Sequence, residues 1–238
     1  MKGDPHGLIV RWPMAGAGRV MTGKVAVITG AAEGIGAGLV AGYRGRGWSV
    51  LASATILRPP NEPEVLAVEG DIADPAGSDR VIDAALERFG RLDTLVNNAG
   101  MIISKPFADY TAADYADVVG VSLTGFIWIT QRAIAAMTTW YGGHVVNVSA
   151  AGAGSAGSGT PAVLAALTEG GLAAATRSLA VEYASFGVRV NAVFPGIIEA
   201  PAQVSGIVDG VLFLESSPYI TGEILHIDGA PESLTAGR

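Results

Sequence analysis

The sequence predicts a doubly wound α/β fold, with one parallel sheet covered by helices on both faces. Short β-branched runs alternate with longer helical patterns from Lys24 onward, the order that a parallel sheet with right-handed crossovers requires. Half of the 238 residues are apolar and 33 are glycine, as expected of strands buried on both sides and joined by tight loops. A glycine-rich turn also joins the first strand to the first helix.

The elements follow in order. Lys24–Thr29 is a compact apolar run closed by that turn, and reads as a buried strand. A helix is expected over Gly34–Arg46, then strands over Trp48–Ser53 and Glu64–Glu69. The link between those strands, Arg58–Pro63, has too many prolines to be helical. Pro75 suits the first turn of a helix running to Phe89, with Asp74 as its N-cap. Leu92–Val96 is the fourth strand. Thr111–Gly120 and Leu123–Trp140 are two helical patterns, the second apolar nearly all round, which marks a core helix or a subunit interface. Strand His144–Val148 leads into a loop of small residues, Ala150–Gly159. Helix Pro161–Phe186, strand Val188–Phe194, helix Val204–Glu215 and strand Glu223–Ile227 complete the pattern. No repeat or internal boundary interrupts it, so the organisation expected is an arm over 1–21 and one domain over 22–238.

Composition narrows the function. A formal charge of −7 disfavours nucleic acid and any basic membrane-binding face. The absence of cysteine excludes disulfides, thiol chemistry and cysteine-based zinc sites. His6, His144 and His226 are far apart and show no ligand spacing, so no metal site is expected. The apolar run Leu8–Val10 is too short for a signal-peptide core. Around Trp128, Thr124, Thr130, Gln131 and Arg132 interrupt the hydrophobic stretch, short of the roughly 18 apolar residues of a membrane span. The expectation is a cytoplasmic protein without membrane or nucleic-acid partners.

The turn Thr29–Gly36 has glycine at 30, 34 and 36 between a strand and a helix. Glycine lets such a backbone turn tightly and approach a pyrophosphate that rests on the helix N-terminus. Asp71 follows the third strand, Asn97–Gly100 ends the fourth, Arg189–Gly196 closes the sixth, and Thr221–Gly229 ends the pattern. In this order and spacing the chain resembles the short-chain dehydrogenase/reductase family over Thr22–Ala230. The resemblance implies a single-domain Rossmann fold with a seven-stranded sheet and an NAD or NADP cofactor along the strand C-terminal edge. Gly30, Gly34, Ile35 and Gly36 would face the pyrophosphate, and Asp71 and Ile72 the adenine. Asn98, Ala99 and Gly100 would line the adenosine ribose, and Pro195, Gly196 and Ile198 would meet the nicotinamide. The choice between NAD and NADP stays open. The second strand ends in Ser53–Thr55 where an acid would select NAD; Arg58 would favour a ribose phosphate, and Glu33 would repel one.

The family's proton chemistry uses a tyrosine, a lysine one turn later, an orienting serine and an asparagine on the preceding helix. Aligned on Gly171–Leu172 and Asn191, the lysine slot is Glu169 and the tyrosine slot Ala165. The asparagine slot is Ser122 and the serine slot Ala150, with Ser149 just before it as a substitute. No tyrosine lies between Tyr141 and Tyr183 to restore the motif. The segment that covers the substrate in the family is also short here, since Pro195–Gln203 runs almost directly into Val204. Two readings follow. One is an oxidoreductase for a small carbonyl or alcohol substrate with impaired turnover, its proton coming from solvent or from Ser149, Ser155 or Ser158. The other is a nucleotide-binding pseudoenzyme, or a partner subunit of an active relative. A cofactor-independent lyase or isomerase has no residue cluster to support it. The long apolar helices resemble the family's dimer faces and imply a homodimer or homotetramer.

Overall fold

The computed structural model describes residues 23–57, 62–140, 142–149, 161–196, 198 and 201–228. The expected arm, Arg58, Tyr141, Ala150, Ser155 and Ser158 lie outside the described residues. Seven strands form one all-parallel sheet in the order β3-β2-β1-β4-β5-β6-β7. They are β1 (Val25–Thr29), β2 (Ser49–Ala54), β3 (Val65–Glu69), β4 (Thr94–Asn97), β5 (Gly143–Val148), β6 (Val188–Pro195) and β7 (Ile224–Ile227). The helices are α1 (Gly34–Gly45), α2 (Pro75–Phe89), α3 (Ala112–Val119), α4 (Phe126–Thr138), α5 (Val163–Glu182) and α6 (Pro201–Glu215). The strand order reverses between β1 and β4, and a doubly wound sheet opens a crevice at the carboxyl ends of the strands there.

Each face of the sheet has its own core. Leu39 and Tyr43 of α1 and Ile207, Val211 and Leu214 of α6 pack with Ala26, Val50 and Val193. On the other face Val81, Ile82 and Phe89 of α2 meet Ile129, Ala133 and Met137 of α4 over Val25, Leu51 and Val145. Helix α2 begins and ends as its sequence suggests. Asp74 accepts a hydrogen bond from the Ala76 N–H at 3.2 Å, Pro75 opens the first turn, and Gly90 closes it at φ 78°.

Several boundaries depart from expectation, among them α5, which spans Val163–Glu182 rather than Pro161–Phe186 and is followed by a 3-10 turn at Ala184–Phe186. The two helical patterns after β4 form one continuous rod, because a π-helical turn over Gly120–Gly125 joins α3 to α4. That rod, Ala112–Thr138, is the one described helix long and apolar enough to cross a membrane by length and composition. Packing accounts for part of its apolar character: Phe126, Ile129, Ala133 and Met137 are buried, while Ile127 and Trp128 are exposed and Arg132 pairs with Asp79 and Asp83 on α2. Helix α6 starts at Pro201 rather than Val204, since proline fits a first turn whose N–H has no helical acceptor. The fourth strand starts at Thr94; just before it the Asp93 backbone still bonds Val25 and His144, and its carboxylate accepts from the Val25 N–H at 2.8 Å.

The N-terminal edge of the sheet holds a buried polar cluster. The Glu215 carboxylate accepts from Thr94 Oγ1 at 2.8 Å and from Tyr43 OH at 3.2 Å, and lies 2.9 Å from His144 Nδ1. Asn191 Nδ2 stands 3.0 Å from His144 Nε2, so Nε2 is an acceptor and Nδ1 carries the proton. The His144–Glu215 contact is therefore a hydrogen bond from a neutral imidazole. Arg189 caps the cluster through the carbonyls of Leu214, Ile220 and Glu215.

Candidate functional site

The site forms at the opposite, C-terminal edge, starting with the glycine turn after β1. Gly30 and Gly34 have φ of 62° and 54°, the left-handed region that disfavours side chains. A Cβ on Gly36 would lie 2.0 Å from the Gly30 carbonyl oxygen, so the turn closes on itself only with glycine there. Nothing lies within 4 Å of a Cβ built on Gly34, so the turn is open on the side from which a ligand would approach. Glu33 is the N-cap of α1 in extended conformation, and its side chain makes no capping hydrogen bond. The first-turn N–H groups of α1 are thus left for an anion, with the helix dipole behind them.

Thr29 and Asn98 hold this turn. The Thr29 hydroxyl accepts from the N–H of Asn98 at 3.1 Å and of Ala99 at 3.0 Å. The Asn98 amide donates to the carbonyls of Thr29 at 3.0 Å and Gly30 at 3.1 Å. The role of Asn98 is therefore to lock the end of β4 to the turn, with its amide committed to protein. The Asp71 carboxylate accepts from the Ala73 N–H at 2.9 Å, and Ile72 turns inward against Gly125. Gly196 follows β6 so close to Asp228 that a Cβ would meet its Cα at 2.8 Å.

A narrow recess adjoins the turn, lined by Ile72, Asn97, Ala99, Gly100, Ser122, Phe126, Ser149, Ala165, Thr168 and Glu169, among others. It shares Gly100 and Ser149 with a wider, open cleft bounded by Glu33, Ile35, Gly36, Asn98, Ile102 and Ile198. Ser122, Ala165 and Glu169, which the alignment places in the asparagine, tyrosine and lysine slots, thus stand around one recess together with Ser149. Their packing explains their proximity. Ser122 sits in the π-helical turn and accepts from the Met101 N–H at 3.2 Å. Ala165 and Glu169 lie one turn apart on α5, and the Ser149 hydroxyl at the end of β5 donates to Glu169 Oε1 at 3.0 Å. Burial pushes the Glu169 carboxyl above its usual pKa, helped by nearby Asp228 and opposed by the Ser149 hydrogen bond and by His226. Among the described residues lining the recess there is neither tyrosine nor lysine.

Behind the recess runs a polar chain that the sequence did not single out. Asn97 Nδ2 donates to Thr130 Oγ1 at 2.8 Å and Asn147 Oδ1 at 2.9 Å, and Asn147 Nδ2 donates to Thr176 Oγ1 at 2.9 Å. All four side chains are buried, and the chain ties β4 and β5 to α4 and α5 on either side of the recess. The signal was a polar residue within each of two apolar strands, but only their lateral pairing shows that they meet.

Comparison with known proteins agrees with this geometry. The family model described as short chain dehydrogenase matches residues 24–206. The chain belongs to the short-chain dehydrogenase family. Within that family, 1,6-dihydroxycyclohexa-2,4-diene-1-carboxylate dehydrogenase of Pseudomonas putida is 42% identical over 75% of this chain and 68% of its own length. The 3-oxoacyl-(acyl-carrier-protein) reductase of Escherichia coli is 30% identical over 87% of this chain and 96% of its own. Among solved structures, 3-ketoacyl-(acyl-carrier-protein) reductase from Brucella melitensis complexed with NADH superposes with TM-score 0.80 at 28% identity, covering 87% of this chain and 98% of that one. ElxO with NADPH bound gives TM-score 0.79 at 26% identity, covering 89% and 99%. At the two positions where the sequence resemblance would put a proton donor and a cation, the residues are Ala165 and Glu169.

Proposed function

We propose that this short-chain dehydrogenase binds NAD or NADP along the C-terminal edge of its sheet and transfers hydride to or from a small carbonyl or alcohol with reduced efficiency. The glycine turn and the uncapped first turn of α1 fit a dinucleotide. Gly30, Gly34, Ile35 and Gly36 would face its pyrophosphate, with Glu33 toward the adenosine ribose, Asp71 and Ile72 at the adenine and Asn98, Ala99 and Gly100 beside the ribose. Pro195, Gly196 and Ile198 would flank the nicotinamide, which supplies or receives the hydride when bound. Relatives with NADH and NADPH bound support this assignment.

The observation that carries the reduced efficiency is the recess itself, where Ala165 offers no proton and Glu169 no positive charge. Ser149 is one hydroxyl of the recess able to hydrogen-bond a substrate oxygen, beside Ser122 and Thr168, and its own proton is directed to Glu169. General acid catalysis typically contributes about 10²–10⁴-fold, so its loss slows hydride transfer without abolishing it. The short connection from β6 to α6, residues 196–200, leaves little chain to cover a substrate and exclude water.

A second reading, a nucleotide-binding partner subunit or homo-oligomer without turnover, is favoured by the outer faces of α4 and α5. There Ile127, Trp128, Leu167 and Val181 are exposed. Calorimetric titration with NAD⁺, NADH, NADP⁺ and NADPH is the deciding experiment. Saturable binding to at least one pair is expected, and its ranking gives the cofactor preference. Binding to none would remove the oxidoreductase reading and the nucleotide-binding one with it, and leave a scaffold retained for its shape or its partners.

A further inference from the structure

Between His144 and Arg177 the sequence carries one charged side chain, Glu169, and the fold delivers it to the recess. The described residues lining the recess and the adjoining cleft include no lysine or arginine; the other charged one is Glu33, at the far end. Glu169 is half-buried and fixed by the hydrogen bond from Ser149 at 3.0 Å. A carboxylate held in a partly desolvated recess interacts with a charge a few ångströms away more strongly than it would in water. The two redox forms of a nicotinamide dinucleotide differ in charge at one place: the ring is cationic when oxidised and neutral when reduced.

We propose that Glu169 makes the nicotinamide end of the cleft selective for the oxidised, cationic ring, so that this chain holds the oxidised dinucleotide more tightly than the reduced one. The inference rests on the dinucleotide reading above and assigns Glu169 the role of a specificity residue. A lysine in this place would repel the cationic ring; the carboxylate attracts it, and the neutral ring is affected little by either. At a separation on the order of 6 Å and an intermediate effective dielectric, one such charge contributes roughly 3- to 30-fold in the affinity ratio. A tenfold preference corresponds to a midpoint potential about 30 mV lower for the bound two-electron couple. The other groups facing Glu169 are Ser149 from the end of β5 and His226 and Asp228 from β7 and its end.

The test is calorimetric and needs no turnover. At about pH 8 the wild-type protein should bind the oxidised member of its preferred pair roughly 3- to 30-fold more tightly than the reduced member. Glu169→Gln, which keeps an oxygen for the Ser149 hydroxyl, should bring that ratio close to one, and Glu169→Lys should invert it. Lowering the pH toward 4.5, the ordinary glutamate value, should erode the wild-type preference as the carboxyl, held above that value by burial, protonates. The ratio in Glu169→Gln should stay flat over the same range, which separates Glu169 from His226 and Asp228. Equal affinity for both redox forms in the wild type, or an unchanged ratio in Glu169→Gln, overturns the inference while leaving dinucleotide binding intact. Should that variant fail to fold, a wild-type ratio insensitive to pH overturns it alone. Binding to none of the four dinucleotides overturns both.

Discussion

Two residues on one helical turn, Ala165 and Glu169, stand where the proposed reading expects the family's proton chemistry. Ala165 is buried in the wall of the recess, so an aromatic ring grafted there can enter the recess. Glu169 spends one oxygen on Ser149, an arrangement that a lysine would replace with a cation beside the same hydroxyl. The double variant Ala165→Tyr with Glu169→Lys should therefore raise carbonyl reductase activity, by up to about 10²-fold for a restored general acid. Steady-state kinetics on a panel of small ketones, with thermal unfolding to verify folding, checks this. A well-folded double variant with no gain would show that these two groups are not the sole determinant of turnover.

At the scale of elements, the β1–α1 turn and the rod Ala112–Thr138 show how backbone geometry builds the site. Gly34 and Gly36 are both glycines in the same turn, yet they are constrained differently. Gly36 faces backbone, with the Gly30 oxygen 2.0 Å and the Ala31 Cα 2.8 Å from a built Cβ, whereas Gly34 faces open space and is constrained by its φ of 54°. Gly36→Ala should cost about 3 kcal/mol or more through overpacking against main chain that cannot yield, and should abolish dinucleotide binding. Gly34→Ala should cost only about 1–2 kcal/mol, the strain of a left-handed alanine. Urea unfolding of the two variants, with calorimetry on each, tests the order; a larger loss at Gly34 would contradict it. In the rod, the π-helical turn lets one helix change its facing, so that Ser122 reaches the Met101 N–H while Phe126 and Ile129 stay in the core.

Across the whole molecule the sheet has two unlike edges, a ligand cleft at the strand C-termini and a buried ionisable cluster at the N-termini. Burial lowers the His144 pKa and outweighs the pull of the Glu215 carboxylate, so the folded protein holds this imidazole neutral. Burial alone would raise the Glu215 pKa, but the hydrogen bonds from His144 and Thr94 and the Arg189 charge bring it below its ordinary value. In both cases the unfolded chain binds protons that the folded one refuses, so stability declines with falling pH, first below the ordinary histidine value of 6.5 and then below the glutamate value of 4.5. Glu169 acts in the opposite sense: its raised pKa favours the fold as pH falls and is lost as pH rises through the folded value, a smaller effect because it is half exposed. The urea midpoint should thus be lower at about pH 5 than at about pH 7.5, and His144→Gln should flatten that dependence whatever it does to absolute stability. A midpoint constant over this range, or an unchanged slope in His144→Gln, would show that the cluster does not govern acid sensitivity.

The sequence by itself determined the alternation of strands and helices, the glycine turn and most element boundaries, because each rests on local chemistry. Apolar runs, Asp74 before Pro75, Gly90 after Phe89 and glycines 30, 34 and 36 specify backbone conformation within a few residues of themselves. It also identified Ser149, Ser122, Ala165 and Glu169 as the positions to inspect, although only alignment related them. The tertiary structure decided what crosses the sheet. It joined two helical patterns into one rod, committed Asn98 to the glycine turn, directed Ser149 to Glu169 and assembled the Asn97–Asn147 chain. It also buried His144 against Glu215, 71 residues away in sequence. Such contacts depend on strand order and on the packing of α4 and α5, to which no local pattern of residues is sensitive.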